Sequence, residues 1–299
     1  MDSFDQYHPN DDMYRSIGTL AVFSILTITL VYTLDVVPSL ADTGASFSTA
    51  SPLPLFLWHL LCLFVGLSAI VYMYRMKTGH MIVRSHEKKA DVLIHPLRIQ
   101  KFVTFSSWTL ILNVIYFTIA TISSYLLYVE SDIPQWLNQF IAVSFVTALG
   151  ASFLTSTVVR FVILPGDFSD AEHHKRQFWF HNQVMHNFCT IFLVVEIIIT
   201  TPQLEFSYML FGILIGLTYA LFAFPFAVYG GGYYCYSFID PRLQKAPLFI
   251  LILALAISFS YVGVWLVSEL ISFNTILGSI LLLAWCWMIV QFQPNTSIL

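Results

Sequence analysis

The chain has 299 residues, of which 58% are hydrophobic and 10% charged, with a mean hydropathy of +0.77. That excludes an ordinary soluble domain, in which about 25% of residues are charged. The net charge of −4 is too small to imply nucleic acid or another strongly charged partner.

Apolar runs of about 18 residues or more, each enough to cross a hydrocarbon core about 30 Å thick as a helix, recur along the sequence. In chain order they cover residues 17–37, 53–74, 102–128, 137–159, 180–200, 206–228, 246–266 and 275–292. The expected fold is all-α: a polytopic membrane helix bundle of about eight transmembrane helices, one integral membrane domain over residues 1–299.

The basic residues orient it. Arg15 precedes the first run, and Arg75, Lys77, Arg84, Lys88, Lys89, Arg98 and Lys101 lie between the second and third. Arg160, Lys175 and Arg176 lie between the fourth and fifth, and Arg242 and Lys245 between the sixth and seventh. All 13 Lys and Arg residues thus fall on one side, which the Lys/Arg bias makes cytosolic. An even number of crossings then leaves both termini cytosolic. The opposite connections, 41–52, 129–135 and 201–205, read as small exoplasmic turns.

Residues 1–16 are acidic and lack a basic leader, so the first apolar run is expected to stay as an anchor. Cys62, Cys189, Cys235 and Cys286 fall in spans or on the cytosolic side, where a disulfide framework is not expected. Asn295-Thr-Ser, at the cytosolic end, is expected to be unglycosylated. The basic 75–101 connection reads as an orientation signal that can lie against anionic lipid.

No GxSxG, HExxH, phosphate-binding loop or dinucleotide glycine pattern is present in the sequence. Gly230–Gly232 reads as a helix stop. His173 and His174 lie in a polar connection without metal-ligand spacing and are expected to be solvated. Neither a metal nor a cofactor is expected.

Polar groups inside spans are costly and informative. In FHNQVMHNFCTIFLVVE, residues 180–196, Asn182 and His186 are four apart and share a helix face, with Cys189 and Leu193 continuing it. Glu196 lies about 15 Å further along the axis, too far to orient His186, and reads as a hydrogen-bonded or protonated structural group. His59 begins its span at the opposite face. Thr104, at the start of the third run, lies at a depth comparable to that of His186, and a Thr hydroxyl beside an imidazole is a nucleophile with its base. On these residues alone, interhelical hydrogen bonding is the better reading, and Ser106, Ser107 and Asn113 compete with Thr104.

Three motifs change this. KFVTF at 101–105 opens a span, N-x-x-M-H at 182–186 precedes an apolar run ending in Glu196, and GGGYYCYSFIDP at 230–241 leaves the sixth span. Over about residues 54–272 the chain resembles the androgen-induced family of multi-pass membrane proteins, whose best-understood members hydrolyse fatty acid esters of hydroxy fatty acids. The resemblance implies a catalytic Thr104 and His186. Residues 1–53 and 273–299 are additional flanking helices, and Gln183 stands where family members often carry a second His.

The expected activity is therefore hydrolysis of a membrane lipid ester near the cytosolic interface. Asn182 would orient the base or a water, and Lys101, or less so Arg98, would face a substrate carboxylate. The endoplasmic reticulum or plasma membrane is the expected location. The related rolling-stone-like branch, linked to development and cell fusion, and a lipid or small-molecule transporter remain the alternatives.

Overall fold

The computed structural model describes residues 6–10, 13–166 and 171–294; the Asn295 acceptor site lies outside them. The protein is a helical integral membrane protein. Seven helices are long and apolar enough to cross a membrane: α1 (Tyr14–Thr33), α3 (Pro52–Arg75), α4 (Phe105–Tyr128), α5 (Gln135–Ile163), α7 (Phe180–Thr200), α8 (Phe206–Gly230) and α9 (Ala246–Phe273). Between them lie the shorter α2 (Val36–Ser46) and α6 (Ala171–Arg176), and α10 (Thr275–Ile289) closes the chain. The last apolar run of the sequence is thus a helix of 15 residues, about 22 Å long and short of a full hydrocarbon core.

Two connections differ from the sequence reading. The first span ends where Asp35 adopts a left-handed conformation (φ 49°), and the supposed exoplasmic turn after it is largely helical as α2. α2 packs closely on α5 because Gly44 leaves room: a Cβ there would collide with the Asn138 carbonyl. The basic connection is not irregular either. β1 (Met81–Ser85) and β2 (Asp91–Ile94) form an antiparallel hairpin, and β1 also pairs with β3 (Tyr233–Tyr234) just after α8. Gly232, at φ +76°, makes the turn from α8 into β3.

α5 is the hub of the bundle, packing against α2, α4, α8 and α9. Its inward positions are small: Ala142, Ala148, Ala151, Ser152 and Ser156 are fully buried. Small residues let helix backbones approach, and that close packing drives helix association where lipid offers no hydrophobic incentive. Hydrogen bonds reinforce it. Asn113 Nδ2 donates to Ser152 Oγ at 2.8 Å, Thr109 and Thr155 hydroxyls meet at 2.9 Å, and Ser156 and Thr190 hydroxyls at 2.6 Å. Asn113 is therefore committed to the α4–α5 contact. Glu196 is hydrogen-bonded to α3.

At the sheet end of the bundle, three helices widen into π turns: Val159–Ile163 in α5, Val184–Phe188 in α7 and Phe226–Gly230 in α8. The two ends of the described chain also meet this end. Gln6 and His8 pair with backbone at Gln244 and Arg242, while Gln291 bonds to Asn187 and Arg160. His174, expected to be solvated, is 1% exposed with its ring edge-on to Phe178.

Candidate active site

Thr104 owes its position to the chain on both sides. Residues Arg98–Val103 form a 3-10 turn, and the Val103 carbonyl accepts hydrogen bonds from Tyr219 Oη (2.9 Å) and Cys235 Sγ (3.4 Å). The backbone then extends at Thr104 (φ −81°, ψ 152°), which is the N-cap of α4 and not part of the helix, contrary to the sequence reading. Its Oγ1 accepts the Ser107 N–H at 3.1 Å, as Thr does at helix starts. Ser107 Oγ donates to the Thr104 carbonyl at 2.8 Å, so the Thr104 hydroxyl hydrogen is left for Ser107 Oγ, 3.0 Å away, or for a group in the cavity. Ser107 itself is fully buried in this cap.

His186 lies in the α7 π turn, and its carbonyl accepts from Ser156 Oγ at 2.5 Å. The side chain is 7% exposed and Nδ1 has no hydrogen-bond partner. His181, which the sequence reading passed over, is 8% exposed, also has an unpartnered Nδ1, and its ring centroid lies 5.7 Å from that of Tyr72.

One cavity of about 540 Å3 is lined by all four residues singled out in the sequence, Thr104, His186, Asn182 and Lys101. His181, Arg84, Asp91, Arg176, Tyr236 and residues of the hairpin complete its polar wall. No hydrogen bond joins Thr104 to His186, or Asn182 to His186. Asn182 Nδ2 instead donates to the Arg176 carbonyl at 2.7 Å, tying α7 to the end of α6. Lys101 Nζ donates to the Met73 and Met76 carbonyls at 3.0 and 2.8 Å, capping the C-terminus of α3. Burial lowers its pKa. Among the described residues, Asp91 is the one carboxylate lining the cavity, and it is paired with Arg84 at 3.0 Å, not with His186.

Polar and apolar spaces are separate but adjoining. A slot of about 100 Å3 between α5, α8 and α9, lined by Leu154, Val158, Leu217 and Ile257 among others, shares Ser106, Ile163, Tyr236 and Phe238 with the polar cavity. Tyr236 stands at the junction, its hydroxyl pKa pushed up to about 12 by burial.

The sequence carried signals for part of what was missed. His181 stands five residues before His186 in the same polar stretch, and the 3.6-residue periodicity places it off the His186 face; the π turn alters that register. Arg176 stacks on Trp179 with 4.6 Å between guanidinium and ring, and its Nη1 is buried without a partner. Nothing in its local sequence distinguishes it from an orientation charge. Comparison of the chain with family models, curated proteins and solved structures gives no match.

Proposed function

We propose that this integral membrane protein hydrolyses an ester of a membrane lipid, with Thr104 as nucleophile and His186 as general base. The observation that carries this reading is that the two side chains, from distant parts of the sequence, line one cavity at a helix N-terminus beside an apolar slot. The motif resemblance over residues 54–272 supports the same pair.

His186 takes the hydroxyl proton as Thr104 Oγ1 bonds to the ester carbon, and the alcohol leaves with that proton. Water then attacks the acyl-threonine, giving a proton to His186 and on to Thr104 Oγ1 as the acid departs. The N-terminus of α4 favours negative charge at Thr104, and the first N–H groups of the helix, at Phe105 and Ser106, are the candidate donors to the carbonyl oxygen. The lipid headgroup region would occupy the polar cavity and an acyl chain the slot. Lys101 acts here through its field, since its donors hold α3, and Asn182 by fixing the start of α7. The 13 basic residues then lie on the cytosolic side with both termini, α10 completing an eighth crossing in the endoplasmic reticulum or plasma membrane.

The test is covalent labelling of the purified protein with a fluorophosphonate probe. Wild type should label, Thr104→Ala and His186→Ala should not, and Thr104→Ser should retain labelling. Folded wild-type protein that neither labels nor cleaves a long-chain ester sinks the hydrolase reading. A second reading, lipid binding or transport without chemistry, is favoured by one observation: the Thr104 oxygen already serves as a cap and makes no bond to His186. It predicts copurifying lipid and no labelling.

A further inference from the structure

The segment joining α3 to α4 is held at the bilayer boundary, because both helices are membrane-spanning in length and they pack side by side. Its hairpin presents an apolar surface. Ile82 and Leu93 are register partners across β1 and β2 and are 43% and 49% exposed. Leu97 and Ile99, just before α4, are 48% and 71% exposed. Single exposed apolar residues need no explanation, but four on one short connection between spans do. Ile82 also lines the polar cavity, so part of this surface is the cavity's own lip.

Two features identify what covers it. The exposed outer face of α3, with Leu67, Val71 and Tyr72, runs directly into the segment, so the lipid-facing surface of the bundle is continuous with it. Exposed Arg75 and Lys77 adjoin that outer face of α3, and exposed Arg98 lies between Leu97 and Ile99. Apolar side chains set among exposed Lys and Arg match the boundary between acyl chains and anionic headgroups.

We infer that Ile82, Leu93, Leu97 and Ile99 seat the hairpin in an anionic lipid leaflet, with Arg75, Lys77 and Arg98 on its headgroups. The cavity then opens at the membrane surface and takes its occupant from the leaflet. This holds whether or not the cavity performs ester chemistry.

The test uses the full-length protein in nanodiscs of phosphatidylcholine, with or without phosphatidylserine. Leu93→Cys and Ile99→Cys are labelled with an environment-sensitive dye, and Glu87→Cys, exposed at the hairpin turn, marks the water-facing side. Wild type supplies the background, because Cys235 is its one thiol that is not buried. Dyes at positions 93 and 99 should lose fluorescence to spin-labelled lipid and resist iodide, while the dye at 87 does the reverse. Phosphatidylserine should strengthen the lipid quenching, and high salt should remove that gain. Iodide quenching at 93 and 99 comparable to that at 87 overturns the inference. Shielding from both quenchers also overturns it, since a second copy or another protein would then cover the lip. Equal lipid quenching in the two nanodisc compositions overturns the assignment to an anionic leaflet. The two positions are independent, so the misfolding of one variant leaves the other to decide.

Discussion

His59 Nε2 lies 3.0 Å from Glu196 Oε1, and the other oxygen of the same carboxylate accepts the Trp58 indole N–H at 2.9 Å. Nδ1 of His59 meets Ser124 Oγ at 3.0 Å, so one buried chain of polar groups ties α7 to α3 and α4. Glu196→Ala leaves the imidazole and indole without that partner, at a cost of about 1–3 kcal/mol. The thermal midpoint in detergent should fall, while probe labelling by the protein that stays folded persists, because this cluster lies outside the cavity at Thr104. Loss of labelling at unchanged stability would contradict the separation of the two.

Lys101→Met tests whether the ammonium holds the fold or meets a ligand. It removes two charge-assisted bonds to the end of α3, worth about 1.5–3 kcal/mol each where the donor is charged. Burial lowers the pKa of this amine below the ordinary lysine value of 10.5, so the unfolded chain binds the proton more tightly than the folded one. The contribution of Lys101 to stability is therefore lowest when the folded amine is protonated and rises as pH approaches 10.5. Denaturation at a series of alkaline pH values should show wild type gaining on Lys101→Met; a constant difference would refute the sign.

Ser156→Ala should act on chemistry through placement. Its hydroxyl bonds the His186 carbonyl, and the residue is fully buried and does not line the cavity at Thr104. The loss is about 0.5–1.5 kcal/mol in stability. Under the hydrolase reading, labelling should slow, and Ser156→Thr, which keeps the hydroxyl, should restore part of the rate. An unchanged labelling rate in Ser156→Ala would show that the π turn holds the imidazole unaided.

Asp240 is fully buried and binds Arg242 twice, with Nη2 at 2.7 Å and Nε at 2.9 Å, while the Tyr7 hydroxyl donates to it at 3.2 Å. Asp240→Asn leaves the Arg242 charge buried and without its carboxylate, at a cost of about 3–5 kcal/mol. Protease should then cut near Tyr7 in the variant and spare wild type. Burial and Asp240 push the Tyr7 pKa up to about 12. The contribution of Tyr7 to anchoring is present below the free-tyrosine value of 10.0 and lost as pH rises through about 12, which a tyrosinate absorbance difference against Tyr7→Phe would follow.

The membrane-spanning helices were legible because each is a long apolar run that lipid forces into self-satisfied backbone. Residues 180–200 coincide with α7. The meeting of Thr104, His186, Asn182 and Lys101 at one end of the bundle was legible from topology, since alternating spans fix which run ends share a leaflet. Their bonding was not. Thr104 followed by Ser107 is a readable helix-start pattern, but it was outweighed by the apolar residues before it. The hairpin carries Met-Ile-Val and Val-Leu-Ile about a polar turn, a strand pattern too short to stand out beside runs of twenty apolar residues. The π turns have no periodicity of their own, so the partner of Asn182 and the cavity-lining place of His181 required coordinates.

The three π turns also set how the cavity end can move. An extra residue in a helical turn is a dislocation, and shifting it one position along the helix rotates the side chains it passes by about 100° while the segments beyond keep their pairing. In α7 the dislocation holds His186, and in α5 it holds Ile163, on the wall between cavity and slot. The link between Glu196 and His59 lies beyond this turn and can stay paired when the imidazole is repositioned, whereas the bond from Ser156 to the His186 carbonyl must yield. The three dislocations thus gather at the end of the bundle that carries the candidate site, away from the Glu196–His59 link.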